Sequence, residues 1–363
     1  MVTSIAPSSS TPTSAPVQRA SSATSSASTR RLSGSSSIAC CTMMASTAID
    51  GTGKRYLDRP YTPHVERILV TGAATWTGAG LVRRLSRHAD TTIIGIDDIK
   101  THIPAVFHQT RLDTLEFANR VVDLAPTTVI HLQTVHRATS TIPIATQTLL
   151  GALSRLSTVR RLIIRSDLAA HGTSPRLPSV LATETRSTGD SAPYESALRD
   201  MEASAGSFTE ERPDITVTIL RFAPIFGEAI DNALSRFLTR RVVPTILGYD
   251  PRLQFLHEDD AVRVLEHALA HPIPGTFDVA ADGQTYLSRT LRLGRRIPRP
   301  LPERCFRRIV RTSELPASGL PEHLVRLFRH GRVVDPRART EILGFRPDRN
   351  CRETVLAGYG RSS

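Results

Sequence analysis

The stretch VTGAATWTGAG, Val70 to Gly80, decides the reading of this chain. It closes a short apolar run, Arg67–Thr71 (RILVT), which reads as a buried strand. It opens Gly78–Leu85, where apolar residues recur at helical spacing and Arg83 and Arg84 fall outward. Gly72 permits a sharp turn off the strand, and Gly78 lets the helix pack closely on it. Between them stands Thr75, where a third glycine is expected. A side chain there narrows the approach to the loop backbone.

The next strand outward, Thr92–Asp97 (TIIGID), ends in an acid. Strand, glycine turn, helix and acid together form a dinucleotide-binding arrangement. The helix N-terminus offers free N–H groups and a positive dipole end to a pyrophosphate. The cofactor residues expected here are Gly72, Thr75, Trp76, Thr77 and Gly78. Asp97 would accept hydrogen bonds from the ribose hydroxyls. A carboxylate at that place repels a 2′-phosphate, so NAD is expected ahead of NADP. The bland alternative is a structural turn in an α/β protein, but four features in register favour a cofactor.

Further apolar strands follow at Thr128–Leu132 (TVIHL), Leu162–Ser166 (LIIRS) and Thr216–Phe222 (TVTILRF). Helical stretches fall between them, including Leu115–Leu124 and Ile144–Leu156. Alternating strands and helices predict an α/β fold, a doubly wound parallel sheet of the Rossmann type. Beyond about residue 223 the regularity fades and Pro, Gly and Arg increase. The expected organisation is a Ser/Thr/Ala-rich tail over 1–60, a Rossmann NAD-binding domain over 65–222, and a smaller basic C-terminal substrate lobe over 223–360.

Composition bounds the partners. The net charge is +12, and between Arg289 and Thr340 fourteen arginines face four acids. Such a field attracts anions, although a solvated basic face explains it equally. Aromatic residues are sparse there, so stacking on nucleic acid is not expected. The helix-like ERCFRRIVR, residues 303–311, has the look of a basic amphipathic helix for anionic lipid, but it fits a helix packed on its own core better. No apolar run of about 18 residues spans a membrane. Cys40, Cys41, Cys305 and Cys351 match neither a zinc spacing nor a disulfide framework, so no metal is expected and the compartment reads as reducing. The location expected is cytoplasmic. An organelle is the alternative if residues 1–60, which carry Arg19, Arg30 and Arg31 and no acid before Asp50, are a transit peptide.

TGAATWTG resembles the TGxxGxxG loop of the extended short-chain dehydrogenase/reductase family, which includes nucleotide-sugar epimerases and dehydratases. The resemblance runs over about residues 66–358. It makes Asp113 of RLD, with Thr114, the contact for the adenine end of NAD. VIHL at 129–132 resembles the strand beneath the nicotinamide ribose, adding Leu132 and Gln133 to the cofactor residues. LRFAPIFG (220–227), FLHEDDA (255–261) and GRVVDPRARTEILGFRP (331–347) resemble later family blocks. The stretch VVPTILGYDPRLQFLHEDDA is similar to an actinobacterial epimerase-like branch. The resemblance implies a nucleotide-linked sugar or related anionic substrate, with Arg252 among its binding residues. It also implies a homodimer through a helix pair, for which the Tyr194 helix is a candidate.

Where this family carries a catalytic Ser or Thr, RSDLAAHG (165–172) places Asp167, and His171 replaces a tyrosine. Leu168 and Ala169 stand where dehydratases carry an Asp-Glu pair, which disfavours that elimination chemistry. In YESAL (194–198) the family tyrosine is kept as Tyr194, but Leu198 replaces the lysine of YxxxK. Arg199 lies about 100° further round the helix and is no simple substitute. Without the lysine, and beside an ionised Asp167, Tyr194 is a poor base near neutrality. Two readings follow. The chain is an NAD-dependent epimerase or oxidoreductase in which Tyr194 and Asp167 are the catalytic residues. Alternatively it is an NAD-binding sensor or partner-binding protein that has lost the chemistry.

Overall fold

The computed structural model describes residues 66–87, 91–132, 139–187, 191–312, 320–335 and 337–361. The expected tail over 1–60 and the residue Gln133 lie outside them.

A seven-stranded, all-parallel sheet organises the chain. Six strands follow one another in sequence: β1 (Glu66–Thr71), β2 (Thr91–Asp97), β3 (Val106–Gln109), β4 (Thr128–His131), β5 (Arg161–Asp167) and β6 (Thr216–Phe222). The seventh, Gly275–Val279, pairs with β6 at one edge. Across the sheet the order is seventh strand, β6, β5, β4, β1, β2, β3. The order reverses beside β1, so a crevice opens at the carboxyl ends of β1 and β4.

Both faces of the sheet are covered, which is why its strands read as near-continuous apolar runs. Alternation assigns the faces. Ile68, Val70, Ile130 and Ile163 enter one core with helix α1 (Trp76–Leu85) and the helix Glu258–Ala270. Leu69, Val129, Leu162 and Ile164 enter the other. That second core includes α2 (Leu115–Leu124), α3 (Thr141–Leu153) and α4 (Pro193–Glu211). A third core gathers Phe226, Phe237, Phe255, Phe306 and Phe328 from the C-terminal half. Phe306 and Val310 of ERCFRRIVR are buried in it, so that helix does pack on its own core.

The five strands expected from the sequence form within a residue of their expected bounds. The helix expected from Ile144 begins earlier, at Thr141, because Pro143 sits in the first turn, where a missing N–H costs nothing. Two strands of this sheet were not expected. Val106–Gln109 is a half-exposed edge strand with no alternation to betray it. Gly275–Val279 lies beyond residue 222, as does Glu258–Ala270, so the sheet and its first core reach well past the expected boundary. No helix among the described residues is long and apolar enough to cross a membrane.

Candidate active site

The glycine loop is built as its residues require. Gly72 has φ +69, and a Cβ there would collide with the Leu132 carbonyl. A Cβ at Gly78 would collide with the Gly72 carbonyl, which is how α1 sits so close on β1. Thr75 adopts φ −65 and ψ 155, an extended conformation open to any residue, so its backbone needs no glycine. It serves as the N-cap of α1. Its hydroxyl donates to Gly72 O at 2.7 Å and accepts from Gly78 N at 3.0 Å. The capping hydroxyl therefore uses one of the N–H groups that such a helix end offers to phosphate. Trp76 and Thr77, at the next two positions, have amides that no helical carbonyl can satisfy.

Asp97 closes the loop from β2. It is buried, and its Oδ2 accepts from Ala74 N at 2.9 Å while Oδ1 accepts from Asp98 N at 2.8 Å. Oδ1 also accepts from Ile99 N at 3.3 Å, so the carboxylate is fixed at the end of β2 beside the loop. Leu132 is fully buried with its N–H on Thr71 O at 3.2 Å. Asp113 is engaged by Arg111 through two hydrogen bonds of 3.1 and 2.8 Å, which hold its carboxyl below the usual range. Thr114 caps α2, accepting from Phe117 N at 3.3 Å. The histidine of VIHL, His131, bridges Thr71 and Thr146 inside the sheet, and burial lowers its pKa to about 4. It is a satisfied core residue.

The second part of the site lies where β5 meets α4. Asp167 ends β5 and caps a short 3-10 turn, accepting from Ala169 N at 2.7 Å. Desolvation raises its pKa, while the charges of Arg332 and Arg165 pull it back. Ser166, one residue earlier, faces α4 and donates to Glu202 at 2.7 Å, so it does not replace the family serine. His171 is committed to structural partners. It is buried, between Asp278 Oδ1 at 3.0 Å and the Thr185 carbonyl at 2.6 Å, and ties the turn to the seventh strand.

Tyr194 stands in the first turn of α4, its ring 4.3 Å from that of His323. Desolvation raises its pKa well above the ordinary tyrosine value, and the charge of Asp167 raises it further. Desolvation lowers His323 to about 3, so its imidazole is neutral. Leu198 is 1% exposed and belongs to the second core, with Leu149, Ile164 and Ala169. Arg199 turns away toward Ser191, Ser196 and Gly172. Neither supplies a cation to Tyr194.

A cation arrives from elsewhere. Arg332 is buried, and its Nη2 donates to Thr173 Oγ1 at 2.8 Å. Glu195, the neighbour of Tyr194, accepts from the same Thr173 hydroxyl at 2.7 Å and from Ala192 N at 3.0 Å. Sequence reasoning missed Arg332, Thr173, Glu195 and His323. For Arg332 the faint signal was an arginine followed at once by two apolar residues inside GRVVDP.

A cavity of about 360 Å³ opens beside this corner, lined by Gly172, Thr173 and Ser179 on one side and Arg252, Arg329 and Arg332 on the other. No acid lines it. Arg252, the expected substrate residue, lines this cavity, with its Nη2 3.3 Å from Ser179 O. Tyr194 and Asp167 are not in its wall; Thr173 and Arg332 connect the two. His257 caps the helix Glu258–Ala270, its Nδ1 accepting from Asp259 N at 3.1 Å, and Asp260 in the first turn accepts from Asp348 N at 2.9 Å.

The family model described as NAD dependent epimerase/dehydratase matches residues 68–280. An uncharacterized protein of Mycobacterium tuberculosis (strain H37Rv) is 32% identical over 321 residues, covering 80% of this chain and 82% of its own. Among solved structures, UDP-glucose 4-epimerase of Thermotoga maritima with UDP-glucose superposes with a TM-score of 0.64 at 19% identity, covering 81% of this chain and 97% of that one. UDP-glucuronic acid 4-epimerase of Bacillus cereus, in complex with UDP-glucuronic acid and NAD, gives 0.63 at 16% identity, covering 81% and 98%.

Proposed function

The chain belongs to the NAD dependent epimerase/dehydratase family, and on that premise we propose that it binds NAD in the Gly72–Gly78 cradle and acts on a nucleotide-linked sugar or a related anionic substrate as an epimerase-type oxidoreductase. The cradle fits the cofactor: two glycines where a Cβ would strike backbone, a helix N-terminus behind them, and a buried carboxylate at the end of β2. When bound, NAD supplies the hydride acceptor.

The chain's own residues divide the remaining work. Asp167 accepts the proton of the reacting hydroxyl. The observation that carries this reading is its place at the end of β5, acting on Tyr194, with desolvation holding its pKa above the ordinary carboxylate value. A base with a pKa nearer the working pH transfers protons more effectively. Tyr194 stays protonated and donates a hydrogen bond to the same oxygen. Arg252 and the acid-free cavity hold the anionic part of the substrate. The UDP-sugars held by the solved neighbours support that choice of substrate class.

Trp76 is the only tryptophan and sits inside the loop, so its fluorescence reports cofactor binding. The expected result is saturable binding of NAD with weaker binding of NADP. Turnover of a UDP-sugar panel should then fall in Asp167→Asn and Tyr194→Phe. A second reading, an NAD-binding sensor, is favoured by the burial of Leu198 at the lysine position. Saturable NAD binding with no turnover above the two variants would establish it in place of the enzyme. The family resemblance also favours a homodimer through the outer side of α3 and α4, where Ile144 is 48% exposed; sedimentation equilibrium tests it.

A further inference from the structure

We propose that the two-stranded ribbon of Val242–Ile246 and Ile297–Leu301, with the end of the helix before it, docks the protein on an anionic lipid surface. The proposal does not depend on the reaction assigned above.

The ribbon is parallel, with Ile297 opposite Val242 and Leu301 opposite Ile246. Its inner strand is buried from Val243 to Ile246, but Ile297 to Pro300 are all exposed. The register partners Val242 and Ile297 are 42% and 53% exposed, so two aliphatic side chains stand side by side in solvent. Leu247, 61% exposed, closes the far end, its N–H donating to Leu301 O at 2.8 Å. Water gives no reason to gather such residues on one ribbon.

The outer edge cannot take another strand. Ile297 N–H donates inward to Arg241 O at 2.9 Å. The donors of residues 298 and 300 would then point outward, and both residues are proline, which has none. A peptide that adds itself as a strand is therefore a poor occupant.

Guanidinium groups surround the aliphatic pair. Arg241 precedes Val242, Arg299 shares a strand face with Ile297, and Arg292 and Arg295 end the helix that leads into the ribbon. All four are exposed, and among the described residues their side chains make no hydrogen bond or ion pair. Other arginines of the same lobe behave differently: Arg263, Arg307, Arg329 and Arg339 are each paired with an acid. No acid occurs between Asp282 and Glu303 or between Asp231 and Asp250. Those four acids are themselves committed, to Arg339, Arg307 and Arg329, Arg236, and Ser288.

Arg295 is held against its own backbone preference. The helix Leu287–Leu293 closes with Arg295 N–H on Arg292 O at 3.0 Å and Arg296 N–H on Leu291 O at 2.8 Å. That closure puts a left-handed residue second after the helix, a place glycine takes without strain. Here it is Arg295, at φ +53. Gly294 cannot serve there, because it stands one residue earlier, where a Cβ would strike the Tyr359 ring. The strain carries an arginine to the surface with no partner in the fold.

Aliphatic side chains ringed by unpaired arginines match a bilayer of anionic phospholipid. The arginines meet headgroup phosphates, and Val242 and Ile297 enter the acyl boundary. Nucleic acid offers phosphate too, but no aromatic residue lies between Leu287 and Cys305 for a base to stack on. The adjoining helix Glu303–Thr312 is not the lipid-facing element, since Phe306 and Val310 are buried.

The test is co-sedimentation of the full-length chain with vesicles of phosphatidylcholine alone, or with phosphatidylserine in equal part. Binding is expected only to the anionic vesicles. Each charge removed should weaken it about fivefold, so Arg241→Gln/Arg295→Gln/Arg299→Gln should lose about 10²-fold. Arg87→Gln/Arg155→Gln/Arg352→Gln, which removes the same charge elsewhere, should lose far less. Ile297→Ser should weaken binding at constant charge, and its effect should persist at high salt while the arginine effect shrinks. Arg295→Gly should weaken binding yet raise the thermal unfolding midpoint, because it relieves the left-handed strain. NAD-dependent Trp76 fluorescence should be unchanged in all of them. Equal losses in the two triple variants, or no binding to anionic vesicles, overturn the proposal. So does loss of binding to a duplex oligonucleotide in the first triple variant when vesicles are not bound, which would make the face a nucleic-acid site.

Discussion

The two ends of the crevice have met substitution differently. At the cofactor end Thr75 stands where the family resemblance expects a glycine, and the loop turns without one. At the end where α4 begins, Leu198 stands, buried, where the resemblance expects a lysine. The first end is made of backbone: a left-handed glycine, carbonyls in close approach and a helix terminus. A side chain whose φ and ψ suit the turn can enter it, and Thr75 even caps the helix. The second end is made of side chains that act on one another through charge. There the arrangement depends on distant parts of the chain: Arg332, 134 positions beyond Leu198 in the numbering, is buried on Thr173 and 3.6 Å from Glu195.

If the contrast is sound, the largest effect comes from the side-chain end. Asp167→Asn should lower kcat by about 10²- to 10⁴-fold and leave NAD affinity unchanged. Because burial raises the Asp167 pKa, wild-type activity should fall on the acid side at a higher pH than an ordinary carboxylate would give, and this limb should vanish in the variant. A pH–rate profile checks both. An acid limb that survives would assign it to another group.

Next in size, Leu198→Lys should not rebuild the family site. The position is 1% exposed among aliphatic neighbours, and a buried, unpaired ammonium costs about 3–5 kcal/mol. Denaturant unfolding should show that loss. A stable, more active variant would mean that the corner can open to admit a cation.

Gly72→Ala tests the backbone end. A Cβ at φ +69 against the Leu132 carbonyl should cost on the order of 3 kcal/mol and abolish the NAD-dependent change in Trp76 fluorescence. Retained binding would show that the loop relaxes around its first glycine.

The smallest effect belongs to Thr75→Gly. Replacing a threonine cap by glycine costs only a few tenths of a kcal/mol. It also frees Gly78 N from the Thr75 hydroxyl, so NAD affinity should rise modestly, as calorimetry can read. A large loss of affinity would show instead that the hydroxyl itself serves the cofactor.

Much of this was legible in local sequence. The run from β1 through the glycine loop into α1, the acid ending β2, and the apolar strands β4, β5 and β6 all follow from short-range pattern. Each is fixed by turn chemistry or by the need to bury both faces of a parallel sheet. The replacement of the lysine by Leu198, and its one-residue offset from Arg199, were equally plain, because four residues of helix fix which side chains share a face.

Other features had no local signature. Val106–Gln109 is a strand only because β2 offers it an edge, and Gly275–Val279 only because β6 offers the other. The burial of His171 on Asp278 joins residues 107 apart. Arg332 looked like one arginine among the many of the basic lobe. Its burial depends on Thr173 and Glu195 standing around it. The sequence by itself determined the dinucleotide-type fold and the place of its cofactor loop, because sterics and periodicity act over a few residues. Tertiary structure alone decided which charges meet where β5 gives way to α4, because Coulomb interaction and desolvation depend on distance in space and not along the chain.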